Sequence, residues 1–422
     1  MDHGATGSSR DATVSLFGPA RNTILLLLGT AALAAPLISA FAGEVPSLEF
    51  VLRFAAMLAA AAIIALSRFR HPVLAAAAAL APLPGVSLIF CGTFATPFST
   101  AASALGALIY AFGFSIALFA GDGFAARVAD GDEPRTAVML TLRNGVRFLA
   151  PMFVVVLGLP AVLAVAEPQR IALPLLLAAG NVLAAVSAWL VVPLAGSFLS
   201  ASEDFIARTN RLREDWTRRF EPVAAVARAP WAMSATGILL VLLVLGIFGS
   251  AKLGATGDLR LDAAGVAIVI LVAALLAGRN WRRAFAVAAV TTGALIYALW
   301  GFARTGAAFD AQLMLSTAGL CAICFAPIAA VAVAAILSGR DDAASASEAG
   351  ILGLGPAAAT GIFGALVILA PWYGEFGTAY VGFALAIVFA AAGALAFHPA
   401  VTGALEDIAP RRQTLAERYR VK

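Results

Sequence analysis

The chain has 422 residues, of which 62% are hydrophobic and 12% charged, with a mean hydropathy of +0.94. A water-soluble protein of that length needs far more polar surface to stay dissolved, so a soluble globular fold is excluded. The formal charge of +4 is small, and its distribution along the chain says more than its size.

Residues 1–21 form a polar tail, and the first apolar run extends from Asn22 to Gly43. That length crosses about 30 Å of hydrocarbon, so the run reads as a span and not as a cleavable leader. Charge-poor runs follow at 50–67, 72–92, 100–121, 148–166 and 171–200. The third and fourth share one charge-free stretch from His71 to Gly121, and TFATPFST (93–100), with Pro97, supplies the turn between them. A charged linker, 201–230, interrupts the series. It resumes at 231–250, 262–278, 284–303, 311–338, 351–371 and 376–397, and a charged tail occupies 406–422. Backbone in lipid must be helical or part of a closed barrel, and these runs lack the alternation of barrel strands. The expected class is all-α integral membrane, with about twelve transmembrane helices.

Threaded with the N-terminus inside, the inner segments hold all of the 28 Lys and Arg except Arg53, Arg170, Lys252, Arg260 and Arg304. The turns SRFRHP (67–72) and AGRNWRR (277–283) show the bias most clearly, while GEVPSLE (43–49), EPQR (167–170) and PWYGEFG (371–377) are acidic or neutral outer segments. This positive-inside pattern predicts a multi-pass protein of the bacterial inner (plasma) membrane with both termini cytoplasmic. Arg53, near the outer end of the second span, is expected to snorkel to the headgroups.

The spans form two sets of six, 22–200 and 231–405, joined by 201–230. Each set has an outer loop after its first span, a tight basic inner turn between its second and third, a longer inner segment after its fourth, and a proline near its end. The closing stretches are PLAGSFL (193–199) and PAVTGAL (399–405). Two halves in one orientation imply a pseudo-two-fold axis along the membrane normal. In the inner segment of the first half, Asp132 suits an N-cap, Pro134 the first turn, and Val138, Leu142 and Val146 recur at helical spacing. A helix lying on the inner surface is expected there.

The stretch 108–153, LIYAFGFSIALFAGDGFAARVADGDEPRTAVMLTLRNGVRFLAPMF, resembles the fourth and fifth spans of the resistance–nodulation–division superfamily, especially its MMPL-type lipid exporters. Arg127, the run DGDEPRTA and Gly145 occupy the places of that family's arginine, Gly/Pro segment and helix-opening glycine. The second half repeats the likeness with Arg340, Gly355-Pro356 and Glu375-Phe376-Gly377. The resemblance implies a membrane core of two parallel six-helix repeats and transport of a lipid or other hydrophobic molecule.

Two departures qualify it. Family members insert large extracytoplasmic domains after the first span of each half, where this chain has only 43–49 and roughly 251–262. They also carry a proton relay of acidic residues in the fourth and tenth spans, and an intramembrane carboxylate is costly enough to be kept only for function. The aligned position in the fourth span is Ser115, and the matching stretch of the tenth, around 328–330, has no titratable group. Asp122 lies about two turns below Ser115 and reads either as a solvated end-cap or as a displaced relay residue. Proton-driven export is therefore not expected to come with the fold. The alternative is a non-transporting scaffold or accessory subunit of a membrane complex.

Other polar groups have two readings each. Cys321 and Cys324 share one face of the tenth span, as a redox or metal pair or as small packing residues. Asn181 in the sixth span and Thr291 and Thr292 in the ninth line a substrate path or bond between helices. The linker residues Arg211, Arg213, Trp216, Arg218 and Arg219 belong to a surface-lying helix and form a candidate docking site for a cytoplasmic partner. There is no nucleotide-binding, metal or catalytic motif, so no cofactor, no metal and no enzymatic activity are expected. The basic loops report topology and contact with membrane lipids, not nucleic acid. Nothing in the sequence bears on oligomeric state.

Overall fold

Long apolar runs leave the backbone no partner in lipid but itself, and the described chain is accordingly helical. The structure, a computed structural model, describes residues 48–91, 100–166, 171–197, 205–211, 214–215, 218, 259–278, 281, 284–285, 287–295, 318–326, 328–329 and 332–333. Its helices are α1 (Leu48–Phe69), α2 (Pro72–Leu80), α3 (Leu83–Cys91), α4 (Thr100–Ala129), α5 (Pro134–Ala166), α6 (Ala172–Gly196) and α7 (Leu259–Gly278). Among the described residues, four segments are long and apolar enough to cross a membrane: Pro72–Ile89, Leu105–Ala129, Pro134–Val165 and Ala172–Gly196. The chain is thus a helical membrane protein. The first, seventh, eleventh and twelfth expected spans and both tails lie outside the described residues.

Helix α4 is the centre. A helix apolar on every side has no lipid-facing or water-facing preference and packs inside. Leu105 to Gly121 is buried without interruption, and α1, α2, α3, α5 and α6 all pack on it. Around it, α1 turns the stripe Met57, Ala61, Ala65 and Phe69 inward and leaves Ile63 and Leu66 exposed, as lipid-facing positions are. Small residues set the closest approaches. A Cβ on Gly85 of α3 would run into the Gly180 carbonyl and Ala184 of α6, so only glycine lets those backbones meet. Helix α7 packs antiparallel on α5, with Gly158 against Val269 and Gly265 against Val162.

Four expectations change at the level of elements. The third span, expected as one helix over 72–92, is broken at Ala81–Pro82 into α2 and α3. The fourth extends to Ala129, two turns past its expected end, because Arg127 and Asp132 pair there at 3.7 Å and Gly131, at φ +95°, closes the helix. The Gly131 N–H bonds the Val128 carbonyl and the Asp132 N–H the Arg127 carbonyl, a Schellman closure. The inner-surface helix is not separate. It runs unbroken into the fifth span as α5, through Pro151 and Pro160. It starts at Pro134, so Glu133 and not Asp132 precedes it, and it buries Val138, Thr141, Gly145 and Phe148 while Val146 is 72% exposed. The buried face follows α6 and α4, not the apolar face alone.

Candidate functional site

Ser115 sits midway along α4, fully buried, and its hydroxyl donates to the Ala111 carbonyl one turn back at 2.8 Å. That bond satisfies the group within its own helix, the usual answer to a hydroxyl in an apolar helix. Ile116, Ala117 and Leu118 beside it are also fully buried, as are Phe112 and Phe114. The position where the family resemblance expects a carboxylate is therefore a packed, internally bonded serine.

The break at Ala81–Pro82 packs on α4 at Gly113, two positions before Ser115. Prolines at 82 and 84 remove two backbone donors, so the helix cannot continue its hydrogen-bond ladder. The Gly85 N–H turns to the Pro82 carbonyl at 3.1 Å, which leaves the Ala81 carbonyl without its usual partner. Two side chains from other helices reach the freed region. Ser187 of α6 donates to the Ala81 carbonyl at 2.6 Å, and Tyr110 of α4 donates to the Ala79 carbonyl at 2.7 Å. With 9 residues in α2 and 9 in α3, the break falls near the middle of the span. Irregular backbone at that depth is tolerated only where protein satisfies it. Gly113 of α4 makes room: a Cβ there would meet Pro82 and Ala184.

At the basic end of α4, Asp122 is not an end-cap, since the helix continues beyond it. Its Oδ2 accepts from Arg68 Nη2 at 2.9 Å and Arg68 Nε at 3.1 Å. The two side chains are 20% and 13% exposed, so the pair is mostly shielded from water. Arg68 is in the last turn of α1, and the chain reverses just after it through Arg70 (φ 49°) and an extended His71 before Pro72. His71 places its ring edge-on to Phe205 with centroids 6.1 Å apart, which ties this turn to the segment 205–211 of the linker. Burial lowers the His71 pKa, and the Arg208 charge lowers it further.

The remaining candidates are dispersed. Cys321 and Cys324 are both buried and free, within the helical stretch 318–326. That stretch packs on α4, since a Cβ on Gly319 would stand 3.4 Å from Leu108 Cβ. Asn181 is buried in α6 and its Oδ1 lacks a hydrogen-bond partner. Thr291 is buried and donates to the Val287 carbonyl at 2.8 Å, whereas Thr292 is exposed. Arg211 and Arg218 are exposed; the side chains of Arg213, Trp216, Arg219 and Arg53 lie outside the described residues. Among the described residues no group of three His, Cys, Asp or Glu could hold a metal ion. Sequence reasoning missed the Arg68–Asp122 pair and the roles of Tyr110 and Ser187. The signal for the latter was the Pro82-x-Pro84 spacing inside a charge-free run.

No family model and no curated protein matches the chain. Solved structures do. Over 90% of its length it aligns with the crystal structure of SecDF, a translocon-associated membrane protein from Thermus thermophilus, at TM-score 0.60 and 15% identity, covering 63% of that chain. It also aligns with SecDF in its super-membrane-facing form at TM-score 0.55 and 14% identity, over 93% of this chain and 64% of that one. The chain thus spans just under two thirds of the length of each SecDF chain, and identities so low show the fold alone. What the likeness supports is a SecDF-like membrane fold, and it does not bear on the MMPL resemblance in particular.

Proposed function

We propose that this chain is an accessory subunit of a bacterial inner-membrane complex, a resistance–nodulation–division-type core that binds a membrane partner and does not drive proton-coupled export. Ser115 carries the reading. It stands where the family resemblance calls for an intramembrane acid, it has no titratable proton near neutral pH, and its hydroxyl is committed to the Ala111 carbonyl inside a packed helix. A proton relay needs a group that changes charge in a hydrated setting, and a serine held this way supplies neither. The likeness to SecDF supports the reading, because SecDF is itself associated with a translocon. The twelve-span topology of two parallel repeats with both termini cytoplasmic belongs to the same proposal, on the strength of the charge pattern. Export of a lipid or other hydrophobic molecule is the second reading; it rests on the MMPL-type sequence resemblance and gains no support from the solved structures.

Gentle detergent extraction of the full chain tests the proposal. A membrane protein co-purifying in stoichiometric amount is expected, and recovery of a lone chain under several mild conditions overturns the subunit reading. The purified chain alone in liposomes should show no lipid movement that depends on a pH gradient. Gradient-dependent lipid movement would favour the export reading instead.

A further inference from the structure

Helix α5 is longer than a bilayer requires. Its 33 residues extend about 50 Å, while the hydrocarbon core is about 30 Å thick. The charge-free part, Phe148–Ala166, is long enough to cross that core by itself, which sets Arg147 and the residues before it at the headgroup level on the basic side. A second marker agrees. The antiparallel register of α5 and α7, Val162 at Gly265 and Gly158 at Val269, brings the end of α7 at Gly278 close to the level of Phe148. Just beyond it Trp281 is exposed, and exposed tryptophan collects at the headgroup boundary.

At this level Arg143 and Arg147 stand one helical turn apart on α5, and both are exposed. Neither has an ion-pair partner among the described residues, and no acidic residue lies within four positions of either along the chain. Two like charges at this spacing repel each other unless an anion lies between them. Val146 beside them is exposed as well, an apolar surface next to two cations. An exposed pair of guanidiniums with an apolar neighbour suits a phosphate group attached to acyl chains, the fork geometry binding the phosphate oxygens and Val146 meeting the upper acyl segment. Water alone would suit the cations but not the valine.

We propose that Arg143 and Arg147 form a binding site for the phosphate of an anionic phospholipid headgroup on the basic side of the membrane. The site is distinct from the candidate core around Ser115 and does not depend on the subunit reading. It is tested with the full chain in mixed micelles of phosphatidylglycerol and phosphatidylcholine, measuring the lipid retained per protein. Wild type should retain phosphatidylglycerol in preference, on the order of ten-fold for two cations near a surface. R143Q/R147Q should lose most of that preference, R143Q and R147Q part of it each, and R70Q/R135Q, at two exposed arginines outside the pair, should keep it. Thermal unfolding in phosphatidylcholine alone checks that the variants fold; if the double variant does not, the single ones decide. No preference in wild type overturns the site, as does an equal loss in R70Q/R135Q, which would mean diffuse attraction. Displacement by millimolar inorganic phosphate would identify a free-anion site, and preference only in the presence of an acidic protein partner would identify a protein surface; either outcome rejects the lipid.

Discussion

Asp122 and Arg68 show how much of a residue's role depends on its partner. An intramembrane-edge carboxylate alone suggests proton chemistry, but paired to a guanidinium through two nitrogens it is a clamp between α1 and the central helix. A shielded pair is costly to break from one side, because the remaining charge is left uncompensated. D122N and R68Q are each expected to destabilise the fold by about 2–4 kcal/mol, with the double variant costing less than their sum. A double-mutant cycle on unfolding in detergent reads this, and strict additivity would show that the pair contributes nothing. His71 makes a second case. Its pKa is lowered in the folded state, first by burial and then by Arg208. The unfolded chain therefore binds the proton more readily, so the contact with Phe205 is fully stabilised above the ordinary imidazole range and weakens as the pH falls below about 6.5. Hydrogen-exchange protection of 205–211 should drop on acidification in wild type and stay flat in H71F; equal profiles for the two would remove His71 as the cause.

At the scale of elements, the decisive feature is the interruption of the third span. Pro82 and Pro84 break the ladder, and Tyr110 and Ser187 supply hydrogen bonds from neighbouring helices to the carbonyls around it. The pieces fit because glycines let the helices approach, and glycine positions differ sharply in what an added methyl would meet. In α3 a Cβ at Gly85 strikes backbone atoms of Gly180 and Ala184, which cannot move aside as a side-chain tip could. In α4 a Cβ at Gly123 would find Thr141 Cγ2 at 3.5 Å, an ordinary contact. G85A is thus expected to destabilise by about 1–3 kcal/mol, and G123A to stabilise by about 0.5–1 kcal/mol through helix propensity. Unfolding of both variants in one detergent checks the pair, and a G85A protein as stable as wild type would show that α3 and α6 do not touch as described.

At the scale of the whole molecule, the central helix α4 meets the buried stretch 318–326, far along the chain. A Cβ at Gly319 falls 3.4 Å from Leu108 Cβ, close to the separation of about 3.5–4.5 Å that a disulfide spans. L108C/G319C, with the three native cysteines replaced by alanine, should form an intramolecular disulfide on mild oxidation. A chain that stays reduced, or cross-links only between molecules, would contradict packing of α4 against 318–326 within one chain. That contact places Cys321 and Cys324 in the packed interior, in accord with a packing role for their small side chains.

The sequence by itself determined the membrane class, the helical state of the spans and the approximate places of α1, α4, α6 and α7, because hydrocarbon imposes one requirement on every apolar run and each run meets it locally. It also located Ser115 in the centre of a helix and the chemistry that its hydroxyl lacks. What only the tertiary structure decided depends on residues far apart in the chain. Whether the segment from Pro134 stops or continues into the fifth span turned on the faces of α4 and α6 it packs against, not on its own periodicity. Asp122 reads as an end-cap from its own stretch of sequence, but the helix continues past it and Arg68, 54 residues earlier, pairs with it. The break at Ala81–Pro82 became a stable feature only through a tyrosine and a serine on two other helices. Local hydropathy sets which segments enter the membrane; hydrogen bonds and charges between segments set what each buried polar group does there.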